Sequence, residues 1–282
     1  MRHADALILL LVLATPTWSQ EGKVGDWPQW RGPDRDGVST ESGWSVKGKP
    51  DNLWLTNVGS GYSTVSIVDG RIYTMGHDAE EQKDTIWCID AEEGSDIWSH
   101  SFPARTMARM HGGGTLSTPS VDGERVFVSN REGKMFCLSA KSGKVRWSKD
   151  LREEHGLRLP TWGLAASPLV LDDMVVMNVG LVLAFDKDGE LIWQSQRNYG
   201  HCYSTPVDIT LNGRPRLAVF GGEGLVILDR KSGEELAFHE FRNRSRVNAA
   251  TPVVLGNKIF ISSGYNKGCA MLEASEDGLE LL

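Results

Sequence analysis

The chain has 282 residues, with 37 acidic side chains against 30 basic ones and a formal net charge of −7. That balance argues against a nucleic-acid or anionic-membrane partner, either of which favours a basic face. The length is ample for a large core, and ten Trp against five Tyr hint at a Trp-bearing repeat.

Residues 1–19 predict a targeting segment. Arg2 and His3 precede a short Leu-rich run, Ala6 to Ala14, and Thr17 and Ser19 suit cleavage before Gln20. The run is too short to span a bilayer, so no membrane span is expected. The mature chain is expected to be exported, periplasmic or extracellular. Residues 20–50 predict an irregular lead-in. Its Asp26-Trp27-Pro28-Gln29-Trp30-Arg31-Gly32-Pro33 stretch has turn chemistry, with two Trp flanking a Pro, and is expected to pack across an apolar surface. Asn52 to Val58 is then expected as an isolated fourth strand carrying Trp54, completing a blade whose other strands come from the C-terminal end.

Ser117 to Trp147 holds the clearest unit. After Ser117-Thr118-Pro119 come short strands at Pro119 to Val121, Arg125 to Ser129, Lys134 to Ala140 and Lys144 to Ser148. They alternate in hydrophobicity and are parted by turns at Asp122-Gly123, Gly133 and Ser142-Gly143. Looser copies stand on either side. Taking Thr64, Thr118, Ser167, Thr205 and Thr251 as equivalent, the steps are 54, 49, 38 and 46 residues. A four-stranded unit at this period cannot bury its packed face alone and stacks on copies of itself. The expectation is an all-β chain, a β-propeller of four-stranded antiparallel blades over residues 51–282. Five blades are visible, and the fifth reaches Leu282 inside its fourth strand. The whole is expected to be part of a seven- or eight-bladed propeller. Cys88, Cys137, Cys202 and Cys269 include no adjacent pair and are expected as buried thiols, because equivalent positions on neighbouring blades are too far apart to bridge.

The loops from each fourth strand to the next first strand should converge at one mouth of the channel. They carry Arg105, Arg109, His111, Trp162, Asn198, His201, Arg246 and Asn248. Arg109, His111, Trp162, His201, Arg246 and Asn248 are the candidate ligand-binding residues, able to line a pocket for an anion or a planar ligand. Arg paired to turn carboxylates would explain the same loops without a site. His77 and His100 read as surface residues. No metal site, Ser-His-Asp order or carboxylate dyad stands out.

The units resemble the tryptophan-docking repeats of the pyrroloquinoline-quinone (PQQ)-like propeller superfamily. Their Ala-x-x-x-Thr/Ser-Gly-x-x-x-Trp pattern matches Ala91 to Trp98 and Ala140 to Trp147, and more loosely Phe185 to Trp193. The opening Asp26 to Pro33 also resembles exported members. The resemblance implies that Trp54, Trp98, Trp147 and Trp193 hold adjacent blades together. The superfamily contains PQQ-dependent alcohol and sugar dehydrogenases and also cofactor-free, BamB-like scaffolds. This chain lacks the adjacent Cys pair of the quinoprotein alcohol dehydrogenases. The leading expectation is therefore a non-catalytic binding or scaffold propeller with no cofactor, holding a protein partner or small ligand at its loop face. No oligomer signal is visible. The alternative is a dehydrogenase using PQQ with Ca²⁺. A hydrolase or lyase acting on sugars or polyanions is a third reading.

Overall fold

A computed structural model describes residues 25–43, 47–48, 51–108, 112–201, 203–275 and 278–282. The targeting segment, Arg109, His111 and Cys202 lie outside the described residues. The rest forms five antiparallel sheets of four strands each, with strands in chain order from one side of each sheet to the other. The first blade is β1 (Ser66–Val68), β2 (Arg71–Asp78), β3 (Lys83–Asp90) and β4 (Asp96–Pro103). The second is β5 (Ser120–Asp122), β6 (Arg125–Ser129), β7 (Lys134–Ser139) and β8 (Val145–Asp150), followed by a one-turn helix α1 (Leu151–Glu154). The third is β9 (Leu169–Val170), β10 (Val175–Val179), β11 (Leu181–Phe185) and β12 (Leu191–Gln194). The fourth is β13 (Val207–Leu211), β14 (Arg214–Gly221), β15 (Gly224–Asp229) and β16 (Glu235–Glu240). The fifth is β17 (Val253–Leu255), β18 (Lys258–Ser263), β19 (Gly268–Ser275) and β20 (Gly278–Leu281). The all-β propeller expectation holds.

Local chemistry sets the hairpins. Asp69-Gly70 and Asn212-Gly213 both take positive φ at each residue, the conformation that matches strand twist in a two-residue turn. The second blade differs by one position from expectation. Asp122 pairs with Arg125, so the turn falls on Gly123-Glu124 instead of Asp122-Gly123.

The apolar core lies between sheets. Tyr73, Ile86 and Cys88 of the first blade pack with Val126, Val128 and Leu138 of the second. Further layers join the second to the third blade, the third to the fourth and the fourth to the fifth. Burial pushes the Cys88 and Cys137 thiols up to about 11. Cys269 departs from the buried-thiol expectation. It is exposed, on β19 of the fifth blade, whose neighbours Val253, Leu255 and Met271 are also exposed.

Each indole spans a blade boundary. Trp54, Trp98, Trp147 and Trp193 donate Nε1–H to the carbonyls of Ala91, Ala140, Lys187 and Arg230 at 3.1, 2.9, 3.0 and 3.0 Å. Each ring covers the glycine of the same turn. A Cβ at Gly94, Gly143, Gly189 or Gly233 would sit 2.4, 2.5, 3.0 or 2.4 Å from indole atoms. The repeat's Gly is therefore the floor for the preceding unit's Trp at all four boundaries, and the repeat's Ala is the acceptor at two of them.

A second device runs along the inner strands. Thr64 N–H donates to Thr118 Oγ1 (3.3 Å), Thr118 N–H to Ser167 Oγ (2.9 Å), and Ser167 N–H to Thr205 Oγ1 (3.0 Å). The hydroxyls of Ser66 and Ser120 donate to the carbonyls of Pro119 and Pro168. This is the physical content of the recurring Ser/Thr-Pro. At the fifth blade the donors change: Trp30 Nε1 reaches Thr251 Oγ1 (3.1 Å) and Arg31 Nη1 reaches the Pro252 carbonyl (3.2 Å).

The lead-in lies across the inner edges. Trp27 exchanges backbone hydrogen bonds with Ile67 at 2.7 and 2.9 Å, Pro28 accepts from Val121 N–H, and Arg35 donates to the Val170 carbonyl. Asn52 to Val58, by contrast, is not a strand. Among the described residues it pairs with no sheet. It runs beside the first blade, with Trp54 docked inward and Leu53 and Leu55 at 86% and 95% exposure.

Candidate functional site

Each blade is entered at its inner strand and left at its outer one. The connections 104–119, 151–168, 195–206 and 241–252 therefore share one end of the sheets with the β2–β3, β6–β7, β10–β11 and β14–β15 turns. Two of the six candidate residues, Trp162 and His201, are brought together there. Tyr203 mediates: its ring is 6.0 Å from Trp162 and 6.1 Å from His201, the latter edge-on. All three are half-buried. Edge-on and tilted aromatic contacts of this kind are favourable beyond their buried area. His201 Nδ1 is buried without a hydrogen-bond partner among the described residues.

Beside His201 opens a cavity of about 630 Å³, walled by 155–160 of one connection, 198–201 of the next and the β10–β11 turn between them. Leu157, Leu159 and Leu181 supply its apolar wall; His155, Arg158, Asn198 and His201 supply polar groups. His155 is held by Gln194 at 3.1 Å, and Asn198 Oδ1 accepts from Gly200 N–H at 2.8 Å.

The other described candidates have their side chains engaged within the fold, although the Arg246 backbone lies close to His201 across Gly222. Arg246 is ion-paired to Glu223 at 3.1 Å, beside Arg242 at 2.6 Å on the same carboxylate. Asn248 corrects the expectation of a ligand-facing amide. It is fully buried and donates to the Gly221 and Phe241 carbonyls at 2.8 and 2.9 Å, so its amide is spent bracing its own connection. Tyr199 is likewise buried, and its hydroxyl donates to Glu235 at 2.7 Å; burial raises its pKa, as does that carboxylate.

A polar cluster at the same end was missed by the sequence reading. His77, read as a surface residue, is 2% exposed. Its Nδ1 is 2.8 Å from Asp84 Oδ1 and its Nε2 is 2.7 Å from the Thr106 hydroxyl, so both ring nitrogens are engaged. Arg131 Nη1 donates to both Asp84 oxygens at 2.8 and 2.9 Å, and Arg131 Nε donates to the Arg105 carbonyl at 3.1 Å. Arg105 in turn pairs with Glu132 at 2.8 Å. Burial opposes ionisation of Glu132, but hydrogen bonds from Arg105 outweigh it and hold this carboxyl below its ordinary value. The cluster locks the first connection against the second blade. One signal was available. His77 and Asp84 face each other directly across the β2–β3 hairpin, a pairing set by the turn.

The fold family raises the question of PQQ with Ca²⁺. Ca²⁺ takes six to eight hard oxygen ligands. The polar groups of the cavity are two imidazoles, a guanidinium and one amide whose oxygen is already engaged. That set does not fit the ion, and no group of three His, Cys, Asp or Glu among the described residues could hold a metal.

Stacked four-stranded sheets, Trp docking and a loop-lined mouth define a β-propeller of PQQ-like repeats. The chain belongs to the family described as outer membrane protein assembly factor BamB, whose model matches residues 82–280. It is 23% identical to BamB of Shewanella oneidensis over 79% of this chain and 58% of that protein. It is 26% identical to BamB of Escherichia coli over 37% and 27%, and 25% identical to a quinohemoprotein alcohol dehydrogenase of Pseudomonas putida over 42% and 16%. This chain thus spans less than two thirds of each of these relatives, from 16% to 58% of their length. Among solved structures, the quinohemoprotein alcohol dehydrogenase of Comamonas testosteroni is similar over 91% of this chain and 47% of that one, at a TM-score of 0.61 and 15% identity. BamB of Moraxella catarrhalis is similar over 76% and 70%, at a TM-score of 0.50 and 16% identity.

Proposed function

We propose that this chain is the propeller of an exported, non-catalytic scaffold that holds a protein partner on its loop face. The observation that carries the reading is the convergence of Trp162 with His201 and Tyr203, from two successive connections, at one end of the sheets. Half-buried aromatics presented by loops on a rigid frame are the usual anchors of protein contacts. Membership of a family described by an assembly factor supports it. The test is site-specific photocross-linking in cells. A photoreactive residue at Trp162 should trap a defined protein, while the same residue at Asn212, on the opposite end, should not. Identical adducts from both positions, or none from Trp162, sink the proposal. Cell fractionation checks export: the chain should leave with the periplasmic or secreted fraction.

A second reading is a PQQ-dependent dehydrogenase, supported by the structural likeness to the Comamonas enzyme over most of this chain. It predicts Trp fluorescence quenching by PQQ with Ca²⁺, and alcohol-dependent dye reduction. No response to either removes it.

A further inference from the structure

We infer that the cavity beside His201 receives an acidic side chain of a peptide, flanked by an aliphatic residue. The inference rests on the scaffold reading above and names what that face recognises. Three observations converge. First, the lining holds Arg158, His155 and His201 but no Asp or Glu, in a chain whose acids outnumber its bases by 37 to 30. Second, Arg158 has no carboxylate partner among the described residues, and of the three described arginines unpaired at this end, Arg152, Arg158 and Arg244, it is the one that lines the cavity; Arg105, Arg197, Arg242 and Arg246 are paired to Glu132, Glu235, Glu223 and Glu223. Third, His201 Nδ1 is buried without a hydrogen bond among the described residues. A buried polar atom left unmatched is costly, and a turn of the imidazole toward a ligand in the cavity would recover that cost.

The apolar wall selects further. Leu157, Leu159 and Leu181 offer aliphatic surface next to the Arg158 guanidinium, which a bare inorganic anion would leave unused. At about 630 Å³ the space is within the roughly 300–1,000 Å³ of small-ligand pockets and holds two or three side chains. The guanidinium accounts for the charge and the leucines for the neighbour. The Trp162–Tyr203 pair next to His201 gives the rest of a peptide a surface to cross.

The test uses the purified chain and three probes: acetyl-Leu-Glu-Leu-amide, its Gln counterpart and free glutarate. Binding is followed by NMR titration. The Glu peptide should bind at least about ten-fold tighter than the Gln peptide, the scale of a charge-assisted hydrogen bond. In Arg158→Gln, an exposed position outside every strand and helix, that preference should vanish while the melting curve is unchanged. Equal binding of the two peptides, or no binding of either, overturns the inference. Glutarate binding as tightly as the Glu peptide overturns it in favour of a small organic acid. Cross-linking from Trp162 is independent of all three probes, so the scaffold reading can survive when this inference fails.

Discussion

Asp84 is a carboxylate with no solvent access, facing Arg131, also without access, and His77. Such a pair adds little net stability over an apolar pair, but removing one member strands the other. Asp84→Ala should therefore cost about 3–5 kcal/mol in urea unfolding. A change within about 0.5 kcal/mol would mean that the cluster has no bracing role. Glu132 gives a pH signature. Its folded pKa is depressed, so the stability it contributes is present above its unfolded value near 4.5 and is lost as pH falls through the folded value. The stability gap between the wild type and Glu132→Gln should be widest above pH 4.5 and close in acid. A gap that widens in acid contradicts the Arg105 pairing.

At the scale of the element, the blade boundary is a Trp over a glycine. Trp147→Ala removes a ring that packs on Phe127 and Gly189 and donates to the Lys187 carbonyl. The expected loss is about 3–5 kcal/mol, the range for large aromatic truncations. Gly143→Ala approaches the same boundary type from below. Its φ is +68° and the new Cβ would lie 2.5 Å from Trp98, so strain and overlap add. It should destabilise more than Gly213→Ala, whose φ of +73° is similar but whose Cβ meets open space. Equal losses in the two variants would mean that φ alone matters there. The fourth blade is built differently. Ala237, opposite Ile227, holds the Trp register, while Phe238 one residue on packs toward the third blade under the Arg197 guanidinium, 4.0 Å from its centroid.

At the scale of the whole molecule, the lead-in ties distant blades together. Trp30 and Arg31 reach the fifth blade across more than two hundred residues of chain, while Trp27 pairs with the first. Trp30→Ala with Arg31→Ala should raise hydrogen exchange along 25–43 and at Thr251–Leu255 and leave the second and third blades protected. Uniform exchange across all five sheets would mean that the lead-in stabilises the molecule globally instead of clamping its ends.

The repeat could be read from the sequence because strand alternation, Asx-Gly turns and the Ala-to-Trp spacing are local. Each is a property of a few adjacent residues, and each repeats. The same locality explains Trp98 and Trp147, whose acceptor and glycine floor recur one unit later. What the loops do with their polar residues was not local. Asn248 and His201 look alike as loop polar residues, yet one amide is consumed by two carbonyls inside the fold and one imidazole nitrogen is left unmatched beside a cavity. His77 was taken for a surface residue because its burial depends on Arg131, which comes from the next blade. Composition and period determined that this chain stacks four-stranded sheets. Only the packing of one sheet on the next decided which charges are matched and which remain to meet a ligand, because that balance is struck between residues far apart in the chain.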